Sequence, residues 1–302
     1  MNDNQPTLVR EKCEEELVGN EPRPVQYTIK SGGYVPVGAT VKKLPANAYT
    51  ITYVSGEIVF VKQTLNTDEL FIFEDNLSER VMDEVDRFWT KTEIFKSYKF
   101  VHKRGFLLFG PQGSGKTSIV HQIITNVINR QGVCFLADSP EYLEDGLRSF
   151  RLVEPDRPVV CVFEDIDDII KIHDEAILLK LLDGESQIDH VVNIATTNYP
   201  EELDKRIAAR PRRFDTVLRI EMPKEEVRKA FLLRKLNLEK STKEVDLWVK
   251  DSEGLSFAAL AELIIAVKCL DLPYKTTLEK LKFVELSKKE INSIKELGFI
   301  SR

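Results

Sequence analysis

Cysteine is scarce here, and nothing in its placement builds a scaffold. Cys13, Cys134, Cys161 and Cys269 lie far apart and never form C-x-x-C. Cys134 and Cys161 sit inside apolar runs, where a reduced thiol simply packs, so a reduced, cytoplasmic protein is expected. No run of about 18 uninterrupted apolar residues exists, which excludes a membrane-spanning helix and gives no reason to expect a membrane partner. The opening residues Met1 to Arg10 are polar and lack an apolar h-region, so no signal peptide is expected. Positive charge is not in excess either. The net charge is −6, which removes any general attraction to nucleic acid or anionic membrane and leaves only a local basic patch for such a partner. What remains is ordinary for a soluble globular chain: 302 residues, 42% apolar and 30% charged, enough for two or three units with a core.

Residues 1–75 read differently from the rest. The first two dozen are polar, with Pro22 and Pro24, and suit an arm. Tyr34-Val35-Pro36-Val37, Tyr49 to Val54, Glu57 to Val61 and Leu70 to Phe73 are β-branched and aromatic, with Ser55-Gly56 as a hairpin turn. A small β-rich N-terminal domain is expected, without a chemical motif of its own. Over Leu77 to Phe100 helical spacing returns, with Val81, Val85, Phe88 and Trp89 on one face. From Lys103 strands and helices alternate, which implies a parallel sheet. Its expected strands are Gly105 to Phe109, Val133 to Ala137, Val159 to Phe163, Val191 to Ala195 and Thr216 to Ile220, apolar throughout as buried parallel strands are. Beyond Pro223 the spacing is helical, including Lys224 to Leu236, Phe257 to Leu270 and Lys288 to Leu297. The expected domains are therefore 1–75, 76–222 and 223–302.

The first expected strand of that sheet runs into Gly110-Pro111-Gln112-Gly113-Ser114-Gly115-Lys116-Thr117, which fits G-x-x-x-x-G-K-[ST] at every fixed position, and Ser118 follows as a further candidate for the cradle. After it Ile119, Val120, Ile123, Ile124, Val127 and Ile128 recur at helical spacing, with Gly132 placed to end the helix. Strand, glycine loop and helix make a phosphate cradle, since glycines let the backbone N–H groups turn inward and the helix N-terminus adds partial positive charge. Lys116 is placed for the β- and γ-phosphates and the Thr117 hydroxyl for Mg²⁺.

A nucleoside triphosphatase also needs a carboxylate on a neighbouring strand for Mg²⁺ and a group to orient water. Val159 to Phe163 ends in Glu164-Asp165-Ile166-Asp167-Asp168, which supplies both. Asn198 closes the next strand at the edge where open parallel sheets bind ligands. Arg206, Arg210, Arg212 and Arg213 cluster before the last one.

Together these motifs resemble the AAA+ ATPases, nearest the AAA family proper. Walker A is Gly110 to Thr117, Walker B is Val159 to Asp165, and sensor 1 is Asn198. The family's second homology segment is matched by Thr197-Asn198-Tyr199-Pro200-Glu201-Glu202-Leu203-Asp204 and Arg210-Pro211-Arg212-Arg213-Phe214-Asp215. The resemblance implies an α/β P-loop NTPase core with a five-stranded parallel sheet in the order 5-1-4-3-2, a C-terminal helical lid, ATP and Mg²⁺ as ligands, and a homo-oligomeric ring, usually hexameric. It also implies arginine fingers at Arg210 and Arg213, with Arg206 in reserve. Walker B here runs Glu-Asp rather than Asp-Glu, an order that resembles the mitochondrial Rieske-protein translocase branch. The family commonly has an Asp two places after the catalytic acid, so with Asp167 setting the register the resemblance implies that Glu164 serves Mg²⁺ and Asp165 polarises the water. The lid segment Gly254 to Leu260 lacks a sensor-2 arginine. The family's pore loop is not intact, and only Tyr142-Leu143, with Gly146 beyond, stands where it belongs.

The expected function is ATP hydrolysis by a ring that remodels a protein partner engaged through the N-terminal domain. A DNA-directed loader or packaging accessory and a slowly turning nucleotide-gated scaffold are the alternatives. No N-K-x-D guanine motif is present to support a GTPase.

Overall fold

Residues 26–30, 33–38, 40–64, 76–173, 175–183, 188–200, 203 and 213–286 are described by a computed structural model. The chain divides into two units, residues 1–44 and 45–302. In the first, β1 (Gln26–Lys30) and β2 (Gly33–Val37) form an antiparallel hairpin, with Gln26 opposite Val37 and Lys30 opposite Gly33.

The second unit opens with β3 (Ala48–Val54) and β4 (Glu57–Gln63). Both turn residues between them have positive φ, 52° at Ser55 and 82° at Gly56, the twist that suits a two-residue hairpin. This hairpin corrects the expected boundary at residue 75. It belongs to the central sheet, where β3 lies parallel to β6 (Val133–Leu136), with Ala48 opposite Cys134 and Thr50 opposite Leu136. Burial explains the attachment. Tyr49 and Phe60 pack on Phe135 at centroid distances of 6.5 and 5.6 Å, and Ala48, Tyr49 and Ile51 are buried. The fourth expected strand of that unit, Leu70 to Phe73, lies outside the described residues, as does the expected helix over Lys288 to Leu297.

The remaining strands are β5 (Lys103–Phe109), β7 (Val159–Phe163), β8 (Val191–Thr197) and β9 (Thr216–Arg219). Across the sheet the order is β4-β3-β6-β7-β8-β5-β9, with every pair parallel except β3–β4. The sheet has seven strands rather than five because the hairpin extends it beyond β6. Helices α1 (Asn76–Trp89) and α3 (Lys116–Asn129) share one core with the sheet; α1 supplies Val81, Val85, Phe88 and Trp89, and α3 supplies Ile119, Val120, Ile123, Ile124 and Val127. The short α2 (Thr92–Ser97) follows α1. Helix α4 (Pro140–Val153) packs on the hairpin, its Gly146 lying so close to Ile51 that a methyl there would fall 2.5 Å from the Ile51 side chain.

Tyr142, Leu143 and Gly146, which stand where the family's pore loop belongs, do not form a loop. Only Ala137, Asp138 and Ser139 separate β6 from α4, and all three candidates lie within the helix. Leu143 and Gly146 are buried, and Tyr142 meets Tyr53 edge-on at 5.2 Å.

At the opposite end of the strands, His102 and His190 form a pair with 3.0 Å between their Nδ1 atoms. His102 Nε2 lies 2.9 Å from the Phe88 carbonyl, so it must carry the proton there. The proton between the rings then belongs to His190. Burial holds both rings below the usual histidine range, His190 down to about 4, with the neighbouring His102 and Arg151 adding to the effect.

After β9 the chain forms a separate helical core from Glu225–Lys235, Lys243–Asp251, Phe257–Ile264, a π-helical turn at Ile265–Cys269, and a helix over 274–286. Phe231, Leu232, Trp248, Leu260 and Leu263 are buried inside it. Hydroxyl caps start two of these helices: Thr242 accepts from Val245 N–H and Ser256 from Ala259 N–H, each at 3.2 Å. Among the described residues, no helix is long and apolar enough to cross a membrane.

Candidate functional site

The glycine loop lies between the C-terminal end of β5 and the start of α3. Gly115 takes the helix N-cap position with φ of 104°, and no side chain caps the helix. The first amides of α3 are therefore left for a ligand. Within the loop, Gly113 has φ of 75° and its carbonyl accepts from Phe257 N–H at 3.0 Å. A Cβ there would fall 2.9 Å from the Ser256 side chain. The helical unit thus rests directly on the loop, with no room for a larger residue. The Ser114 hydroxyl is buried without a partner. An uncapped helix start, a left-handed glycine turn and an orphaned hydroxyl fit a phosphate chain.

Lys116 leads α3 and is buried. Its ammonium donates to the Gly110 and Pro111 carbonyls at 2.8 and 3.0 Å and to Asn198 Oδ1 at 2.6 Å. Burial lowers its pKa to about 8, and Asp165 and Asp167 act against that shift. Asn198 lies just beyond β8, and its amide also donates to Asp165 Oδ1 at 3.1 Å. The parallel register of β5 and β8 sets this meeting. Phe109 stands opposite Thr197, so the loop and Asn198 leave the same sheet edge side by side.

Asp165 has φ of 46° and ψ of 57°, a left-handed conformation that is uncommon outside glycine. It starts α5 (Ile166–Ile172), and its N–H donates to Thr196 Oγ1 at 3.0 Å. Such backbone strain clusters at functional sites. Asp167 is buried and accepts from Thr197 Oγ1 at 2.6 Å, which ties the acidic turn to the end of β8. Burial raises the pKa of Glu164 and of Asp165; the neighbours that add most are Asp165 and Asp138 for the first and Asp167 for the second. Thr117 is exposed at the start of α3. Thr117 and Glu164 offer the hard oxygen donors that a magnesium ion takes.

The structure therefore brings Lys116, Asn198 and Asp165 into one hydrogen-bonded chain, with Glu164 next to Asp165 in sequence. Arg210 lies outside the described residues, as does Arg206. Arg213, at the second position that the resemblance matches to a finger, is 2% exposed within its own chain. Its backbone lies against β5, where a Cβ on Gly105 would fall 2.0 Å from the Arg213 carbonyl oxygen.

Three residues near the site carry no sequence signal strong enough to assign them a role. Asp138, at the end of β6, adds negative charge near Glu164. Ser256 touches Gly113, and its hydroxyl donates to the buried Glu285 at 2.7 Å. Ser256 is visible as the hydroxyl that opens a helix, whereas Glu285 sits 29 residues further on with nothing in its spacing to mark it.

Residues 106–222 match the family described as "ATPase family associated with various cellular activities (AAA)". Similar curated proteins include an "AAA ATPase forming ring-shaped complexes" of Corynebacterium diphtheriae, 27% identical over 186 residues, which are 52% of this chain and 36% of that protein. The "Probable mitochondrial chaperone bcs1" of Schizosaccharomyces pombe is 28% identical over 156 residues, covering 48% of this chain and 34% of the relative. "Protein SAV" of Sulfolobus acidocaldarius is 29% identical over 214 residues, 63% of this chain and 26% of its own length. The matches span about a third or less of these relatives.

Proposed function

We propose that this chain, whose residues 106–222 form an AAA family domain, is a Mg²⁺-dependent ATPase that works as a homo-oligomeric ring, with six subunits as the usual number, and remodels a protein partner. The observation that carries the ATPase reading is the single amide of Asn198, which meets both Lys116 and Asp165. A cation for the transferred phosphoryl group and a carboxylate for the attacking water are thereby held around one polar side chain. In this reading Gly110 to Ser118 cradle the phosphates, and Lys116 releases the Gly110 and Pro111 carbonyls to face them. Asp165 orients and polarises water, and Asn198 keeps that carboxylate in reach. Thr117 and Glu164 are the residues present to hold Mg²⁺, which when bound would neutralise charge on the phosphates.

Ring assembly draws support from the Corynebacterium relative, named for its ring-shaped complexes, and a protein substrate from the relative named as a chaperone. The short link from β6 to α4 favours engagement of the partner at a face of the assembly over threading of an extended chain. The hairpin unit of β1 and β2 is the part of the chain proposed to select that partner.

Phosphate release from ATP tests the reading. Magnesium-dependent release by the wild-type chain, lost in Asp165→Asn, is the expected result. ATP binding without release by the wild type would leave a nucleotide-gated scaffold. Sizing by native mass, with and without ATP, tests the ring.

A further inference from the structure

Away from the glycine loop, the helical unit carries a cavity of about 750 Å³ between the start of Glu225–Lys235 and the end of Lys243–Asp251. It is lined by four cations, Lys224, Arg228, Lys229 and Lys250, and by Glu225, Asp246, Glu253 and Val249. Lys229 pairs with Asp246 at 3.0 Å, which leaves three cations facing two carboxylates. Arg228 is the unusual member. It is 5% exposed, yet among the described residues its guanidinium meets only carbonyls, donating from Nη1 to Pro223 at 2.9 Å and from Nη2 to Val249 at 3.0 Å. Its Nε–H has no acceptor. A buried guanidinium with no carboxylate partner is costly unless a negative charge comes to it. The first turn of the helix that carries Arg228 adds the partial positive charge of its N-terminus, where no side chain caps the amides.

We propose that this cavity is a second anion site, separate from the glycine loop, that takes a phosphate group. Cations stand on both walls, Lys224 and Arg228 on one and Lys250 on the other. A tetrahedral oxyanion accepts from several directions at once, whereas a carboxylate accepts in one plane. The volume lies in the range that accommodates small phosphorylated ligands.

Inorganic phosphate is the probe, titrated by calorimetry into the full chain. Lys116→Ala removes the glycine-loop site from the measurement. Phosphate binding should survive in Lys116→Ala and weaken about tenfold or more when Lys224→Gln and Lys250→Gln are added. These lysines are at the surface, so folding is preserved in a way that substitution of Arg228 does not guarantee. Binding that vanishes with Lys116→Ala alone, or that ignores the two lid lysines, overturns the proposal. So does the absence of phosphate binding at millimolar concentration in every variant. None of these outcomes depends on whether the chain hydrolyses ATP.

Discussion

The amide of Asn198 holds Lys116 at one end and Asp165 at the other, with Oδ1 2.6 Å from the ammonium and Nδ2 3.1 Å from the carboxylate. Neither charged group touches the other directly in this arrangement. Removing the amide should therefore release both without emptying the cradle. Asn198→Ala is expected to bind ATP nearly as well as the wild type and to turn over about 10²–10³-fold more slowly, the usual loss for one positioned polar donor. Lys116→Ala should lose ATP binding while keeping its melting temperature. Equilibrium binding of a fluorescent ATP analogue alongside phosphate release checks both. Equal losses of binding in the two variants would show that Asn198 serves the cradle instead.

The lowered pKa of Lys116 has a direct consequence for binding. In the free chain the ammonium loses its proton as the pH passes about 8, and burial is the main cause. ATP favours the charged form, so binding above that pH must take up a proton. Affinity is expected to be flat below pH 7 and to fall by up to about tenfold per pH unit above 8. Calorimetry in two buffers of different ionisation enthalpy reads the proton directly. Uptake at pH 8.5 with none at pH 6.5 is the expected pattern, and no uptake at either pH would mean that Lys116 stays charged throughout.

Asp165, not Glu164, carries the contact with Asn198. Asp165→Asn should trap ATP, because an amide cannot polarise water as a carboxylate does; the loss expected is about 10²–10⁴-fold in single-turnover hydrolysis. Glu164→Gln should instead raise the Mg²⁺ concentration needed for half-maximal rate. Full activity in Asp165→Asn with loss only in Glu164→Gln would reverse the two assignments.

Much of this site was legible because its residues are fixed by local rules. The run from Gly110 to Thr117 declares its own backbone, and apolar strands ending in Asp165 and Asn198 place both groups at one sheet edge. The β3–β4 hairpin was misplaced for the opposite reason. Its alternation and its Ser55-Gly56 turn are local and were read correctly as a hairpin. Its partner β6 lies some 80 residues away, and no spacing in the sequence states that Tyr49 packs on Phe135. Helix α4 holds Tyr142, Leu143 and Gly146, and no local spacing states that Leu143 and Gly146 are buried against the hairpin. The histidine pair was not legible at all, because His102 and His190 are brought together only by adjacent strand starts.

That pair predicts an acid limit on stability. His190 in the folded chain is held down to about 4 by burial, with His102 and Arg151 adding to the effect against the pull of Asp189 and Asp156. An unfolded histidine titrates near 6.5. The unfolded state therefore binds a proton first as the pH falls, and stability drops between about 6.5 and 4. His190→Asn tests this, since asparagine tolerates the φ of 61° found there. The variant should lose less melting temperature than the wild type between pH 7 and pH 5. An identical loss would place the acid sensitivity elsewhere.

The two arginines that match the family's finger positions are expected to behave differently. Arg213 is buried within its own chain beside Gly105, so its loss should be felt as stability. Arg213→Ala is expected to lower the melting temperature, and Gly105→Ala to destabilise the fold by about 1–3 kcal/mol, because the added methyl meets the Arg213 carbonyl. Arg210 keeps the role that its match to the family motif implies, that of completing the site of a neighbouring subunit. A guanidinium placed there in trans is worth on the order of 10³–10⁵ in rate in related phosphoryl chemistry. Arg210→Ala should bind ATP, hydrolyse it poorly and melt like the wild type. Mixing it with Lys116→Ala then restores part of the activity, because the Lys116 variant still carries an intact Arg210 for an intact loop next door. Arg213→Ala mixed in the same way should show no such recovery beyond what its folded fraction allows. If Arg213→Ala instead melted normally and were rescued in mixed assemblies of confirmed mass, the buried side chain would have to swing out on assembly, and the division of labour argued here would fall.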